Sequence, residues 1–222
     1  MTITDYSINS NVLISIIKDA SGRNICDLKI IDFGCYEGFY SIELAKLGAD
    51  VLGIEGRQIN VDKANAEYQA PNLVFVKDDV KNFIAPGESC VDIALVAGLL
   101  YHLDFESSMV LLKNICITSR ILILETNIAG CLPPEYHHLK PEEHIHDGIT
   151  YDGVCYPEPI KGLNEQQIEN RRSSAISNET SFWFTEKSLV EMLKYVGYNS
   201  ILKVLEPKPV KVHYRHTYVA MR

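Results

Sequence analysis

The sequence predicts an α/β fold built on one doubly wound sheet of about seven strands, mostly parallel. Three observations point to it. Short strand-like runs alternate with helical segments at the spacing of right-handed crossovers. The run at 91–97 is apolar almost throughout, as a strand covered by helices on both faces must be. The first strand-like run ends in an acid and passes through a tight glycine turn, Asp32-Phe33-Gly34-Cys35-Tyr36-Glu37-Gly38, into a helix.

Each element has its own signal. Ile8, Val12, Leu13, Ile16 and Ile17 recur at helical spacing, which predicts an amphipathic lead-in helix over 7–20. Strands are expected at 28–33, 50–54, 73–76, 91–97 and 121–124, with helices between them at 38–47, 60–68 and 105–116. Gly48 stops the first of these helices and Pro71 follows the second. From 127 to 183 long apolar periodicity is missing, and four of the seven histidines fall there. That stretch reads as an insertion leaving the carboxyl end of the fifth strand, the edge where open α/β sheets bind ligands. Long loops there act as lids or substrate walls. Thr185 caps a helix over 186–195 that Gly197 ends, and strands near 200–205 and 217–221 close the chain. The whole is expected to be one Rossmann-like domain spanning 1–222.

Bulk properties exclude several classes. No apolar run reaches the roughly 20 residues of a membrane span. The start, Met1-Thr2-Ile3-Thr4-Asp5, lacks the basic and apolar blocks of a signal peptide. The six cysteines include no Cys-x-x-Cys pair and read as reduced thiols of a cytoplasmic protein. The net charge of −8 disfavours extended contact with nucleic acid. One basic stretch, Lys203, Lys208, Lys211, Arg215 and Arg222, lies in the tail and reads as a solvated sheet edge.

The first turn suits a nucleoside. Gly34 lets the chain leave the strand sharply, and Gly38 lets the next helix come close. A dinucleotide fingerprint would place further glycines at Tyr36 and Phe39, so NAD is disfavoured. Asp32 immediately before the turn would repel a pyrophosphate and suits an ammonium or sulfonium. Glu55, ending the second strand beside Gly56, lies where a ribose diol would sit. Asp79, after the third strand, can accept from an adenine amino group while the Val80 amide faces a ring nitrogen.

On these residues the chain resembles the class I S-adenosylmethionine-dependent methyltransferases. The matching motifs are the turn at 32–38, Gly53-Ile54-Glu55, Asp78-Asp79-Val80 and the run 92–103 ending in Gly98-Leu99-Leu100-Tyr101-His102-Leu103. The run 98–103 and the Phe182-Trp183-Phe184-Thr185 entry to the last helix look most like the subgroup that alkylates 5-hydroxyuridine at the tRNA wobble position. The resemblance implies S-adenosyl-L-methionine as cofactor. It implies that Asp32, Gly34, Cys35 and Gly38 hold the methionine end, Glu55 the ribose, Asp79 and Val80 the adenine, and Ala97, Gly98 and Leu99 the sulfonium side. The chain is shorter than the tRNA enzymes and acidic, so a small-molecule methyl acceptor is the leading expectation.

Methyl transfer from a sulfonium is an in-line displacement, and a hydroxyl acceptor must also lose a proton. Histidine suits that step. His102 follows the fourth strand near the expected sulfonium. The insertion adds His137, His138, His144 and His146; a strand over 144–146 would put the His144 and His146 rings on one face. His144 and His146 are thus further candidates, and a metal beside Glu142, Glu143 or Asp147 is the minor reading. Tyr101, Tyr151, Tyr156, Phe182 and Trp183 are candidates to line an acceptor pocket or to pin the insertion to the core. Arg171 and Arg172 are candidates to grip an acceptor carboxylate or phosphate. Two other functions stay open: an RNA-modifying methyltransferase, and a nucleoside-binding module without catalysis.

Overall fold

The computed structural model describes residues 9–83, 91–206 and 212–222. Ile8, Lys208, Lys211 and the first five residues lie outside the described residues. Seven strands form the main sheet: β1 (Lys29–Phe33), β2 (Asp50–Glu55), β3 (Leu73–Lys77), β4 (Val91–Ala97), β5 (Ser119–Asn127), β9 (Ser200–Val204) and β10 (Arg215–Met221). Their order is β3-β2-β1-β4-β5-β10-β9. The first five are parallel, and β10 runs antiparallel to both β5 and β9. The α/β fold with a mostly parallel seven-stranded sheet is therefore present as the alternation of elements requires.

Both faces of the sheet are covered, and the sequence shows this strand by strand. Ile30, Leu95, Ile123 and Val219 face one cluster, with Leu13 and Ile17 of α1 (Ser10–Ser21) and Leu44 and Ala45 of α2 (Phe39–Lys46). Their immediate neighbours Ile31, Ala94, Leu122 and Ala220 face the other, with α4 (Phe105–Thr118) and α6 (Glu186–Val196). A side-chain period of two on a doubly covered sheet makes both sets apolar, hence the nearly continuous hydrophobic runs. The third intervening helix, α3 (Gln58–Glu67), buries Val61 and Ala64 beside Phe75 and Cys35.

The helix ends follow their caps. Asn9 accepts from the Asn11 amide at the start of α1, and Gly22 ends it at φ 63°. Thr185 accepts from the Ser188 amide at the start of α6, and Gly197 closes it at φ 118°. These are the side-chain N-caps and left-handed C-caps that satisfy orphan backbone groups.

The insertion differs from its expectation as a stretch lacking regular structure. It contains a second sheet of three antiparallel strands, β6 (Lys140–His146), β7 (Ile149–Pro157) and β8 (Thr180–Phe184), in the order β6-β7-β8, and a short helix, α5 (Glu165–Asn170). Its strands are hard to read because β6, Lys140-Pro141-Glu142-Glu143-His144-Ile145-His146, is mostly polar, with Ile145 its one large apolar side chain, and is an edge strand. The tail also departs from a uniform solvated edge. Lys203 pairs with Glu186, and Arg215 turns inward toward Glu125.

Phe105, at the first position of α4, joins the two sheets. It is 1% exposed. Its ring stacks on His144 at 4.4 Å and meets Tyr151, Phe182 and Phe184 at centroid distances of 5.3, 5.6 and 5.9 Å. Phe105→Ala is expected to cost about 3–5 kcal/mol in denaturant unfolding, the usual range for emptying a buried aromatic site. Amide exchange should rise first in β6 and β7, because the second sheet loses its anchor.

Candidate functional site

A cavity of about 1050 Å³ opens along the carboxyl ends of β1, β2, β4 and β5 and runs under the insertion. Its two halves differ in chemistry.

The first half is the glycine turn and the two strand-end acids. Gly34 (φ 69°), Tyr36 (φ 54°) and Gly38 (φ 82°) all take left-handed backbone. The turn hangs from one carbonyl: the amides of Gly34 and Cys35 both donate to the Ile54 oxygen, at 2.8 and 3.1 Å. A Cβ at Gly38 would stand 2.4 Å from the Phe75 ring, so only glycine fits. Glu55 is buried and held from both sides: the Tyr36 amide donates to Oε2 at 3.0 Å and the Arg57 amide to Oε1 at 2.9 Å. This fixes the carboxylate at the cavity wall with lone pairs left for a diol. Asp32 is buried and accepts from the Ser41 hydroxyl at 2.7 Å. Burial pushes its carboxyl up to about 6 and Glu55 adds to this, against the Ser41 hydrogen bond.

Gly56, Asp79, Val80, Ala97, Gly98 and Leu99 line the same half. Asp79 accepts from the Lys81 amide at 3.0 Å, which curls the turn after β3 around the cavity edge. The cofactor candidates are therefore brought together. Among the described residues no group of three or more His, Cys, Asp or Glu side chains is gathered to hold a metal ion.

Residues 165–178 strap across this half. The Arg57 guanidinium, almost fully buried, donates to the carbonyls of Ser174 at 2.8 Å and Ala175 at 3.0 Å. Arg172 pairs with Glu37, lies 5.4 Å over the Tyr36 ring and donates to Asn60 at 3.0 Å. The Ile176 side chain fills the space beside Gly56, 2.3 Å from where a Cβ would be. Arg171 is exposed and does not line the cavity; its neighbour Arg172 does.

The second half is aromatic and polar. The Trp183 indole donates to the Tyr101 carbonyl at 2.7 Å. Tyr156 stacks on Trp183 at 4.6 Å, and Tyr136 stands edge-on to Trp183 and to Tyr214 at 5.2 and 5.6 Å. Tyr101, Tyr156 and Trp183 thus line the cavity as candidates, whereas Tyr151 and Phe182 belong to the core under α4. His102 lines the cavity with Nδ1 3.1 Å from Glu158 Oε1. Glu158 is buried and also accepts from the Ser181 hydroxyl and the Ala175 amide, both at 3.0 Å.

His144 and His146 do not reach this cavity. The His144 ring lies on Phe105 with Nε2 2.7 Å from Glu142, and His146 bonds the Tyr195 hydroxyl at 3.0 Å. They share a face of β6 as the extended spacing requires, but that face packs on α4 and α6. His137 and His138 are exposed.

Several residues of the second half escape a reading of the sequence: Glu125, Asn127, Tyr136, Tyr214 and Arg215 line the cavity, and Glu158 supports His102 from behind it. Glu125 carried a usable signal, since it is an acid near the end of a sheet strand, like Asp32 and Glu55. It is 1% exposed, with Oε1 3.4 Å from Arg215 Nε and without a hydrogen bond. Burial raises its carboxyl to about 7, against the pull of Arg215.

Residues 30–118 match the family described as Methyltransferase domain, a stretch that runs from β1 to the end of α4 and so includes the turn and both strand-end acids. The O-antigen chain terminator bifunctional methyltransferase/kinase WbdD of Escherichia coli is 27% identical over 108 residues, 44% of this chain. The chain spans about 15% of the length of that relative. The ubiquinone biosynthesis O-methyltransferase of Pelagibacter ubique is 25% identical over 207 residues, covering 78% of this chain and 81% of the relative. Among solved structures, the N-terminal domain of EvdMO1 with S-adenosylhomocysteine bound superposes with a TM-score of 0.73 at 22% identity, covering 97% of this chain and 82% of that one. The fold is that of the S-adenosylmethionine-dependent methyltransferases.

Two outcomes follow from this geometry. Folding holds the Asp32 carboxyl above its unfolded value, so the stability tied to its proton is complete below pH 3.8 and is lost as pH rises through about 6. Asp32→Asn should flatten that segment of the pH–stability curve of the ligand-free protein, read as denaturant midpoints between about pH 4 and about pH 7; an unchanged slope contradicts the assignment. Arg172→Ala removes the clasp on Glu37 and Tyr36. It should speed S-adenosylhomocysteine release about tenfold in stopped-flow displacement, with a smaller change in association, since affinity differences within one site appear mainly in the off-rate.

Proposed function

We propose that the protein is an S-adenosylmethionine-dependent methyltransferase acting on a small-molecule acceptor, with a hydroxyl or amine as the atom modified and His102 as general base. The observation that carries this reading is one continuous cavity joining the Asp32–Glu55 rim to the His102–Glu158 pair. The residues of the first half fit the cofactor: two strand-end acids are in place, one fixed by backbone amides, beside glycine positions that a side chain would obstruct. Asp32 meets the ammonium, Glu55 the ribose hydroxyls, and Asp79 and Val80 the adenine edge. When bound, S-adenosylmethionine supplies an electrophilic methyl group.

The chain's own task is alignment, exclusion of water and removal of a proton. The Glu158 carboxylate accepts from His102, which places the ring proton on Nδ1 and leaves the Nε2 lone pair to take the acceptor's proton. The strap over the first half and the aromatic wall over the second keep water out. A side chain aimed in this way serves chemistry rather than simple nucleoside binding. The net charge of −8 agrees with a small acceptor rather than RNA.

Turnover is to be followed as S-adenosylhomocysteine formation over a panel of hydroxyl and amine metabolites. His102→Gln should lower kcat by about 10²–10⁴-fold, the usual worth of a general base, with the cofactor KM little changed. Undiminished turnover in that variant removes His102 from the chemistry. Glu55→Gln should weaken S-adenosylhomocysteine binding by about 1.5–3 kcal/mol in calorimetry, the worth of hydrogen bonds to a charged group.

A further inference from the structure

The acceptor half holds a group that the reaction as described leaves unused. Glu125 lies near the end of β5, against the Gly98 turn, with Oε2 3.7 Å from where a Gly98 Cβ would stand. Its other oxygen is buried and accepts no hydrogen bond. A buried carboxylate oxygen left without a donor is costly, and such atoms are normally satisfied by a ligand or water. Arg215 stands 3.4 Å away and is itself tied to Asn127 and Tyr101. The floor is therefore close to neutral overall, yet rich in hydrogen-bonding groups. The same cavity is lined by the rings of Tyr136, Tyr156 and Tyr214, with Tyr136 edge-on to both of the others.

We propose that this half is built for a neutral, sugar-like polyol, with an apolar C–H face of its ring on the tyrosine wall and a hydroxyl donating to Glu125 beside Asn127. The inference rests on the methyl-transfer reading and names the class of acceptor. A pyranose carries both surfaces at once: axial C–H groups that pack on aromatic faces and hydroxyls around its rim. The other acceptor classes fit less well. An anionic acceptor would meet the Glu125 carboxylate, and an ammonium would meet the Arg215 guanidinium. A flat phenol would stack on the tyrosines but offers one hydroxyl to a floor that holds a carboxylate, an amide and a guanidinium. Glu125 acts here as a binding and positioning group, and proton removal stays with His102.

Trp183 is the single tryptophan of the chain and stacks on Tyr156, so its emission reports on this wall. The protein saturated with S-adenosylhomocysteine is titrated with methyl β-D-glucopyranoside, methyl β-D-galactopyranoside and methyl α-D-mannopyranoside, and in parallel with catechol and ethanolamine, by fluorescence and calorimetry. At least one glycoside should bind with a Kd of about millimolar order and perturb the Trp183 emission. Tyr156→Ala and Glu125→Gln should each weaken that glycoside about tenfold or more, while S-adenosylhomocysteine affinity stays within about threefold. Where Glu125→Gln melts because Arg215 loses its partner, Tyr136→Ala and Asn127→Ala take its place with the same expectation. The proposal is overturned if no glycoside binds, whether or not catechol or ethanolamine does, or if glycoside affinity survives all the folded variants. Failure of S-adenosylhomocysteine itself to bind strikes the cofactor reading instead, and glycoside binding to the unliganded protein then still decides this one.

Discussion

The site depends on a buried arginine. Arg57 follows the second strand by two residues, and its two ends do different work. Its amide fixes one oxygen of Glu55, while its guanidinium reaches the carbonyls of Ser174 and Ala175 in a segment more than a hundred positions away. Burial lowers the guanidinium's affinity for its proton, while Glu55, Glu169 and Glu158 raise it. Carbonyl oxygens deep under a strap need donors, and a charged, forked donor supplies several at once. The rim acid and the cover over it are thus held by the same residue.

The rest of the second half is organised from β8. Its residues alternate in role: Ser181 supports Glu158, Phe182 packs on Phe105, and Trp183 carries the aromatic wall and bonds the carbonyl of Tyr101. Phe182 also donates its amide to the Leu103 carbonyl, which fastens the second sheet to the turn after β4. His102 lies in that turn. The orientation of its ring comes from Glu158, at the end of β7, so the proposed base is aimed by one sheet and carried by the other.

Much of the fold was legible in the sequence because a doubly covered sheet writes itself plainly. Ile30 and Ile31, or Leu122 and Ile123, are adjacent apolar residues serving opposite layers. The proposed cofactor rim was legible for a related reason: its acids and glycines are local to strand ends. The acceptor half was not. Glu158 meets His102, Arg215 meets Tyr101 and Tyr214 meets Tyr136 only through tertiary contact between distant segments, and nothing in their neighbours along the chain announces a pocket. His144 and His146 show the converse. Their spacing predicts one face of a strand, which they share, but the sequence does not say that this face packs on Phe105 and Tyr195. Where a loop-built half is assembled by tertiary contact, residue type and spacing run out as guides.

The insertion supplies both the clasp over the Asp32–Glu55 half of the cavity and most of the aromatic surface at the other. Arg172, Ala175 and Ile176 lie between β7, which carries Tyr156, and β8, which carries Trp183. A chimera that borrowed this module from another enzyme to change its preference would therefore also replace the residues that strap across the Asp32–Glu55 half. The wall and the strap are linked by chain connectivity, and re-engineering one without the other calls for point changes at Tyr136, Tyr156 or Tyr214 rather than exchange of the whole segment.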